Sequence, residues 1–345
     1  MNTKMLRVLL LFFVVVAAVV VWLLRWESIH ESLVADDSAG IGGHESGVRQ
    51  SDMPDLLRLF DTSNPVIDLS EVIAGGPPKD GIPALTDPHR VAIEELGLGH
   101  DARLVEVSVG KETVAYPIAI LNYHEIVNDM VGGIPVAVTY CPLCDSVSVL
   151  DRRLTDDQDR VRSIELGVSG LLMNSNVLMY DRENDALWSQ VKAMAVTGPD
   201  AGHSLAHLPF VMTTASEFAL KHPGAPAIST DTGHARNYNR APYEQYFSNP
   251  NYVFHEFEYG DELPPKLLGV GLVKDDEAVF VPAVSASEAA VSLNVSDVTV
   301  TLSFSDHGLS IAEVPAGLVV VQTYWHSWSA YHSETVIFDP GVDQP

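Results

Sequence analysis

Alternation of apolar with small or polar residues flanks a single Cys-x-x-Cys. Before it, Val136, Val138 and Tyr140 alternate with Ala137 and Thr139; after it, Val147 and Val149 alternate with Ser146 and Ser148. A two-residue period on both sides predicts strand, tight turn, strand over 134–151, with Pro142 stiffening the turn. Cys141 and Cys144, the only cysteines of the 345 residues, then stand together at a hairpin tip.

That position separates the usual meanings of the motif. A thioredoxin-type pair sits where a strand feeds a helix, whose N-terminus lowers the first thiol's pKa. Here the following segment reads as strand, so that activation is missing. A Cys-Pro-x-Cys knuckle aims two sulfurs at one point and suits a metal, but two thiols leave other ligands to be found. His124, close in sequence, is the candidate third ligand, and copper, zinc or iron are the ions that thiolate plus imidazole would hold. Reversible thiol chemistry and a structural disulfide stay open beside metal ligation. A disulfide across two intervening residues closes a tiny loop and stabilises little.

Lys and Arg number 20 against 46 Asp and Glu, a formal net charge of -26. A nucleic-acid binder needs a basic surface, so that partner class is excluded. The uncharged run 8–24, preceded by Lys4 and Arg7 and flanked by Trp22 and Trp26, predicts a single-pass membrane anchor at 1–26. The positive-inside rule puts the N-terminus in the cytoplasm and the body outside, in a periplasmic or extracellular, oxidising compartment; a cleaved signal is the alternative. Residues 27–52 are acidic, Gly/Ser-rich and aperiodic, as in a flexible linker.

From 53 to 340 the reading is one β-rich α+β domain, mostly antiparallel strands and hairpins with short helices. A short helix is expected near 91–96 behind Asp87-Pro88, and another helix or turn at 121–133 with His124 and Asn128 on one face. Hairpins at 104–117 and 268–282 look alike, the second with a turn about two residues longer, and form a weak internal repeat. Ser216 opens a short amphipathic helix that ends before Pro223. Around 167–176, glycines allow close backbone approach, and Asn174 and Asn176 offer donor and acceptor together. Ser169 lacks the Gly-x-Ser-x-Gly elbow of a nucleophile. His203 and His207 have helical ligand spacing but are crowded by Gly202 and Pro209. Arg236 and Tyr238, in a polar loop, are candidate ligand contacts.

Several blocks carry a resemblance: Leu121-Asn-Tyr-His-Glu-Ile-Val-Asn-Asp129, Gly132-Gly-Ile-Pro-Val-Ala-Val-Thr-Tyr-Cys-Pro-Leu-Cys144, Leu166-Gly-Val-Ser-Gly-Leu-Leu-Met-Asn-Ser-Asn176, Met179-Tyr-Asp-Arg182, Leu187-Trp-Ser-Gln190 and Ser229-Thr-Asp-Thr-Gly-His-Ala-Arg236. They resemble the bacterial and archaeal domain-of-unknown-function family 3179 over roughly 55–285. The resemblance implies an extracytoplasmic domain built around the cysteine motif and implies no chemistry. The aromatic stretch 324–332 is similar to the family's C-terminal block, which makes His332 the second candidate partner for the thiols and His326 a weaker one. No nucleophile, base and orienter can be assembled, so an enzymatic role stays open, and no protein partner is identified.

Overall fold

A computed structural model describes residues 53–155, 160–251, 253–254, 257–285 and 290–339. The expected membrane anchor and linker lie outside these residues. Among the described residues no helix is long and apolar enough to cross a membrane. The chain divides into two units, one of 1–45 with 235–237 and one of 46–234 with 238–345. All regular elements described here belong to the second.

The domain is β-rich with short helices, as its alternating sequence dictates. The described strands make two eight-stranded sheets, a five-stranded sheet and a two-stranded ribbon, and nearly all pairings are antiparallel. The main core lies between the inward faces of the two large sheets, with Val105, Val107, Tyr116, Val136, Val138, Val149, Val270, Leu272, Leu302 and Val320 all buried. The period of two places every second residue of these strands there.

One unit of structure occurs twice. The hairpin Arg103–Val109/Glu112–Pro117 takes a third strand, Phe210–Thr214, against its first strand, with Thr214 opposite Arg103. The helix Ala215–Lys221 follows, and the chain returns in strand Pro226–Ile228 parallel to the hairpin's second strand, Ala227 opposite Ala115. The hairpin Leu268–Lys274/Glu277–Pro282 does the same with Val319–Tyr324, the helix Trp325–Tyr331 and Val336–Ile337. Tyr324 stands opposite Leu268, and Ile337 opposite Phe280. Both helices end on a histidine of nearly the same backbone conformation, His222 (φ -132°, ψ 67°) and His332 (φ -138°, ψ 69°).

The three-strand meander Ile126–Val131, Ile134–Cys141, Ser146–Asp151 likewise has a counterpart in Val291–Val295, Val298–Ser305, Gly308–Ile311. Each meander joins the other copy's sheet: Val147 pairs with Gln322, and Ser310 with Val211. Exchange of strands therefore welds the copies into one core. The hairpin turns are of equal length, Gly110-Lys111 and Asp275-Asp276, and not two residues apart as the sequence suggested.

Other local expectations shift. Residues 90–92 form a strand paired with 226–228, and only Ile93–Glu95 a 3-10 turn; Asp87 adopts φ 47° and caps no helix. The expected helix at 121–133 is instead the helix Ile118–His124 followed by a strand, so His124 and Asn128 share no helical face. The later helix is capped by Thr214, whose side chain accepts from Glu217 N in a capping box, rather than by Ser216.

Candidate functional site

The cysteine hairpin forms as its period predicts, with Cys141 opposite Ser146. Pro142–Asp145 make the loop, closed by Cys144 N donating to Cys141 O at 3.2 Å, with Asp145 at φ 43°. The equivalent loop in the second copy is two residues shorter, Asp306-His307 between Ser305 and Gly308. The second thiol thus sits in a loop extension that the second copy lacks.

Both cysteines are free and buried. Their thiols converge on one acceptor, the Ser175 carbonyl, at 2.9 Å from Cys144 Sγ and 3.8 Å from Cys141 Sγ. Ser175 belongs to the two-residue turn Asn174-Ser175 between strands Leu166–Met173 and Asn176–Asp181. Both turn residues have positive φ, 49° and 62°, the left-handed pair that a tight hairpin turn requires. Gly170 (φ 77°) sits at the bulge in the first of these strands, where a Cβ would lie 2.1 Å from Pro77 O. Asn174 Nδ2 donates to Ala330 O at 3.3 Å, tying the turn to the helix Trp325–Tyr331.

A buried amide network fixes the hairpin beneath the thiols. Ser146 Oγ donates to Gln190 Oε1 at 2.6 Å, and Asn176 Nδ2 reaches Ser146 Oγ at 2.9 Å and Gln190 Oε1 at 3.0 Å. Gln190 Nε2 donates to Thr139 Oγ1 at 3.0 Å. On the other side Asp145 accepts from Tyr140 OH at 2.9 Å and pairs with Arg103 at 3.1 Å, and Arg103 also donates to His307 O at 3.2 Å. Arg103 therefore links the cysteine loop to its counterpart loop in the second copy.

Burial dominates the protonation of Cys141. Burial pushes its thiol pKa well up and Cys144 reinforces this, while backbone N–H groups of Val177 and Leu143 pull the other way. Glu125 is buried, and its carboxyl pKa is raised well above the usual range by burial and then by Cys141. Glu125 adopts φ 55°, ψ -34°, at the end of the helix Ile118–His124, and its carbonyl accepts from Tyr140 N at 2.7 Å. The Tyr243 hydroxyl, buried, is held protonated by burial, then by Glu125 and Cys141.

The residues singled out from sequence divide into two groups. Asn174 and Asn176 are at the thiols, in the turn and the amide network. His124 is buried, but Nδ1 donates to Pro83 O at 2.7 Å and Nε2 lies 2.7 Å from Tyr238 OH, so both ring nitrogens are engaged away from the cysteines. Tyr238 is consumed there as well, with Thr232 Oγ1 at 2.6 Å. Asn128 clamps Leu166, accepting from its N–H and donating to its carbonyl at 2.9 Å each, a structural link between sheets. Arg236 falls in the other unit. His332 lies against Trp328 with ring centroids 4.2 Å apart, its pKa lowered to about 4 by burial. His326, fully buried, has its pKa lowered to about 3 by burial and by Lys266, with the Leu143 backbone opposing. Neither ring nitrogen of His326 meets hydrogen-bond geometry. Among the described residues no group of three or more His, Cys, Asp or Glu is placed to hold a metal ion.

Sequence reasoning missed Glu125, Ser175, Gln190 and Tyr243. Glu125, Ser175 and Gln190 stand inside quoted blocks, but nothing in the sequence marks the positive φ at Glu125 or the carbonyl that Ser175 presents. Gln190 had a usable signal, an amide directly after the strand Leu187–Ser189.

A search of curated proteins and a search of solved structures each return no match. A family model, described as protein of unknown function (DUF3179), matches residues 79–317, which include both cysteines, Glu125 and the 174–175 turn. The match covers well over half of the chain, which therefore belongs to the DUF3179 family.

Proposed function

We propose that the protein is a membrane-tethered, extracytoplasmic thiol–disulfide redox protein whose working group is the Cys141/Cys144 pair. The observation that carries this reading is the convergence of two free thiols on the Ser175 carbonyl. Two thiols at one point can join in a disulfide with little movement of the frame, because the amide network holds the hairpin from below. The co-substrate class is a small disulfide. A Cys thiolate attacks it, one thiol leaves, and the second cysteine displaces the other. Two protein S–H groups and one S–S bond become one protein S–S bond and two small thiols. The near-complete burial of both cysteines favours a small co-substrate over a protein surface. The apolar run 8–24 and the oxidising compartment it implies are part of this proposal.

A soft ion is the second reading, favoured by the same two sulfurs. Copper(I) suits thiolate ligands. Zinc and iron ask for more protein ligands than are placed together among the described residues.

The test uses the full-length protein in detergent, reduced, freed of metal and mixed with 4,4′-dithiodipyridine, with native folding verified. Release of two thiopyridones per chain and a Cys141–Cys144 disulfide in the peptide map are expected. Cys141→Ser and Cys144→Ser should each release one and stop at the mixed disulfide. No Cys141–Cys144 disulfide in the wild type overturns the reading.

A further inference from the structure

Three observations single out the turn Asn174-Ser175. Ser175 is 1% exposed, and among the described residues the donors to its carbonyl are the two thiols, at 2.9 and 3.8 Å. Its own hydroxyl, also buried, has no hydrogen-bond partner, so the carbonyl is what ties Ser175 to the cysteine loop. Asn174 and Ser175 have φ 49° and 62°, a left-handed pair without glycine, which surrounding contacts must hold in place. The remaining ties nearby run to the helix Trp325–Tyr331: Asn174 Nδ2 donates to Ala330 O at 3.3 Å, and Tyr331 OH to Met173 O at 3.0 Å. The second of these holds the end of the strand Leu166–Met173 and leaves the turn itself untouched. A thiol donates through its S–H, and a disulfide has none.

We propose that the turn Asn174-Ser175 is a redox-sensitive cover, closed over the reduced pair by the two S–H donors and released when the pair becomes a disulfide. The inference rests on the thiol redox reading above. Forming the mixed disulfide takes one S–H, and closing the protein S–S bond takes the other. Two electrons pass to the small disulfide, whose S–S bond breaks, and the two protons leave on the two small thiols. The Ser175 carbonyl thus keeps one donor in the mixed disulfide and none at the end. A buried carbonyl without a donor is costly, and the cost is relieved when it reaches water. The turn is free to make that movement because it is the tip of its hairpin, while strands Leu166–Met173 and Asn176–Asp181 stay paired behind it. The oxidised pair then becomes accessible to a reducing thiol, and the reduced pair stays covered.

The test is amide hydrogen exchange, read by mass spectrometry, on full-length wild type in detergent, reduced and after oxidation by 4,4′-dithiodipyridine. Amides of 174–177 should exchange about ten-fold or more faster in the oxidised form, while peptides from the strand Leu268–Lys274 keep their rates. A cross-link ordinarily restricts a chain, so faster exchange at this one turn is the reverse of what the disulfide alone would produce. Two variants separate the lost donor from the new bond. Unoxidised Cys144→Ala should exchange at 174–177 faster than reduced wild type, and Cys144→Ser, which retains an O–H donor, should match reduced wild type. Equal or slower exchange at 174–177 in protein shown to hold the Cys141–Cys144 disulfide overturns the cover, as does a folded Cys144→Ala as slow as Cys144→Ser. If wild type forms no Cys141–Cys144 disulfide, the redox reading itself falls and this inference falls with it.

Discussion

Cys144 Sγ donates to the Ser175 carbonyl across 2.9 Å, joining an extended loop of the duplicated frame to a turn of the five-stranded sheet. Residues between Asp151 and Phe210 have no equivalent in the second copy, where Ile311 is followed after a short link by Val319. The thiol site is thus assembled from the parts in which the two copies differ. The turn is the cover of the thiols, and its conformation is testable. Ser175 has φ 62°, which glycine adopts freely and proline cannot. Ser175→Gly should leave thiol labelling by a maleimide unchanged. Ser175→Pro should accelerate it and cost about 2 kcal/mol or more of stability in a denaturant titration. Equal labelling of both variants would remove the turn as a cover.

Gln190 spends its amide on Ser146, Asn176 and Thr139, all buried. Replacement by leucine keeps the volume and strands those partners. Gln190→Leu should lower stability by roughly 2–4 kcal/mol, since unsatisfied buried polar groups cost about 1–3 kcal/mol each and share the loss. A denaturant midpoint within experimental scatter of wild type would show that the network contributes little.

The duplication predicts a contrast between Gly271 and Glu106, which occupy equivalent strand positions opposite Phe280 and Ala115. A Cβ at Gly271 would lie 2.1 Å from the Trp328 ring, which is fully buried. Glu106 instead accepts from Lys221 at 2.9 Å and lies 3.0 Å from His222 Nε2. Gly271→Ala should therefore destabilise by about 1–3 kcal/mol through overpacking and perturb tryptophan fluorescence. A neutral Gly271→Ala would mean that Trp328 has room to move.

His207 is buried, and burial lowers its pKa to about 4. Its folded pKa lies below the ordinary histidine value of about 6.5, so the unfolded chain binds the extra proton first. Stability from the neutral ring is present above about pH 6.5 and is lost as pH falls toward 4, by on the order of 3 kcal/mol. His207→Gln should flatten that part of the stability–pH curve measured by urea titration. An unchanged slope between pH 6.5 and 4 would contradict the assignment.

What was legible follows from which forces act locally. The cysteine hairpin and the paired hairpins at 103–117 and 268–282 were readable because strand burial imposes a period of two on adjacent residues. The similarity of 210–228 to 319–337 was not readable. It resides in pairing partners and chain path, while the side chains diverged, as in Phe218 against Trp328 and Glu106 against Gly271. His124 looked like a ligand because it is near the thiols in sequence. The helix Ile118–His124 turns it toward Pro83 and Tyr238 instead, a tertiary outcome that spacing does not encode. Asn174 and Asn176 were singled out as possible ligand contacts, whereas the atom that meets the thiols is the backbone carbonyl of Ser175 between them. The strained backbone at Glu125 has no sequence signal, because glutamate is not a residue that favours positive φ.

The most direct test of the dithiol assignment is an equilibrium redox titration of full-length, detergent-solubilised protein. It is equilibrated in graded ratios of oxidised and reduced dithiothreitol, acid-trapped, alkylated and weighed by mass spectrometry. The account predicts one two-electron transition in which Cys141 and Cys144 lose two hydrogens together, reversible from either side. Two thiols that remain alkylatable across the whole range, in protein shown to reach equilibrium with the buffer, would contradict it.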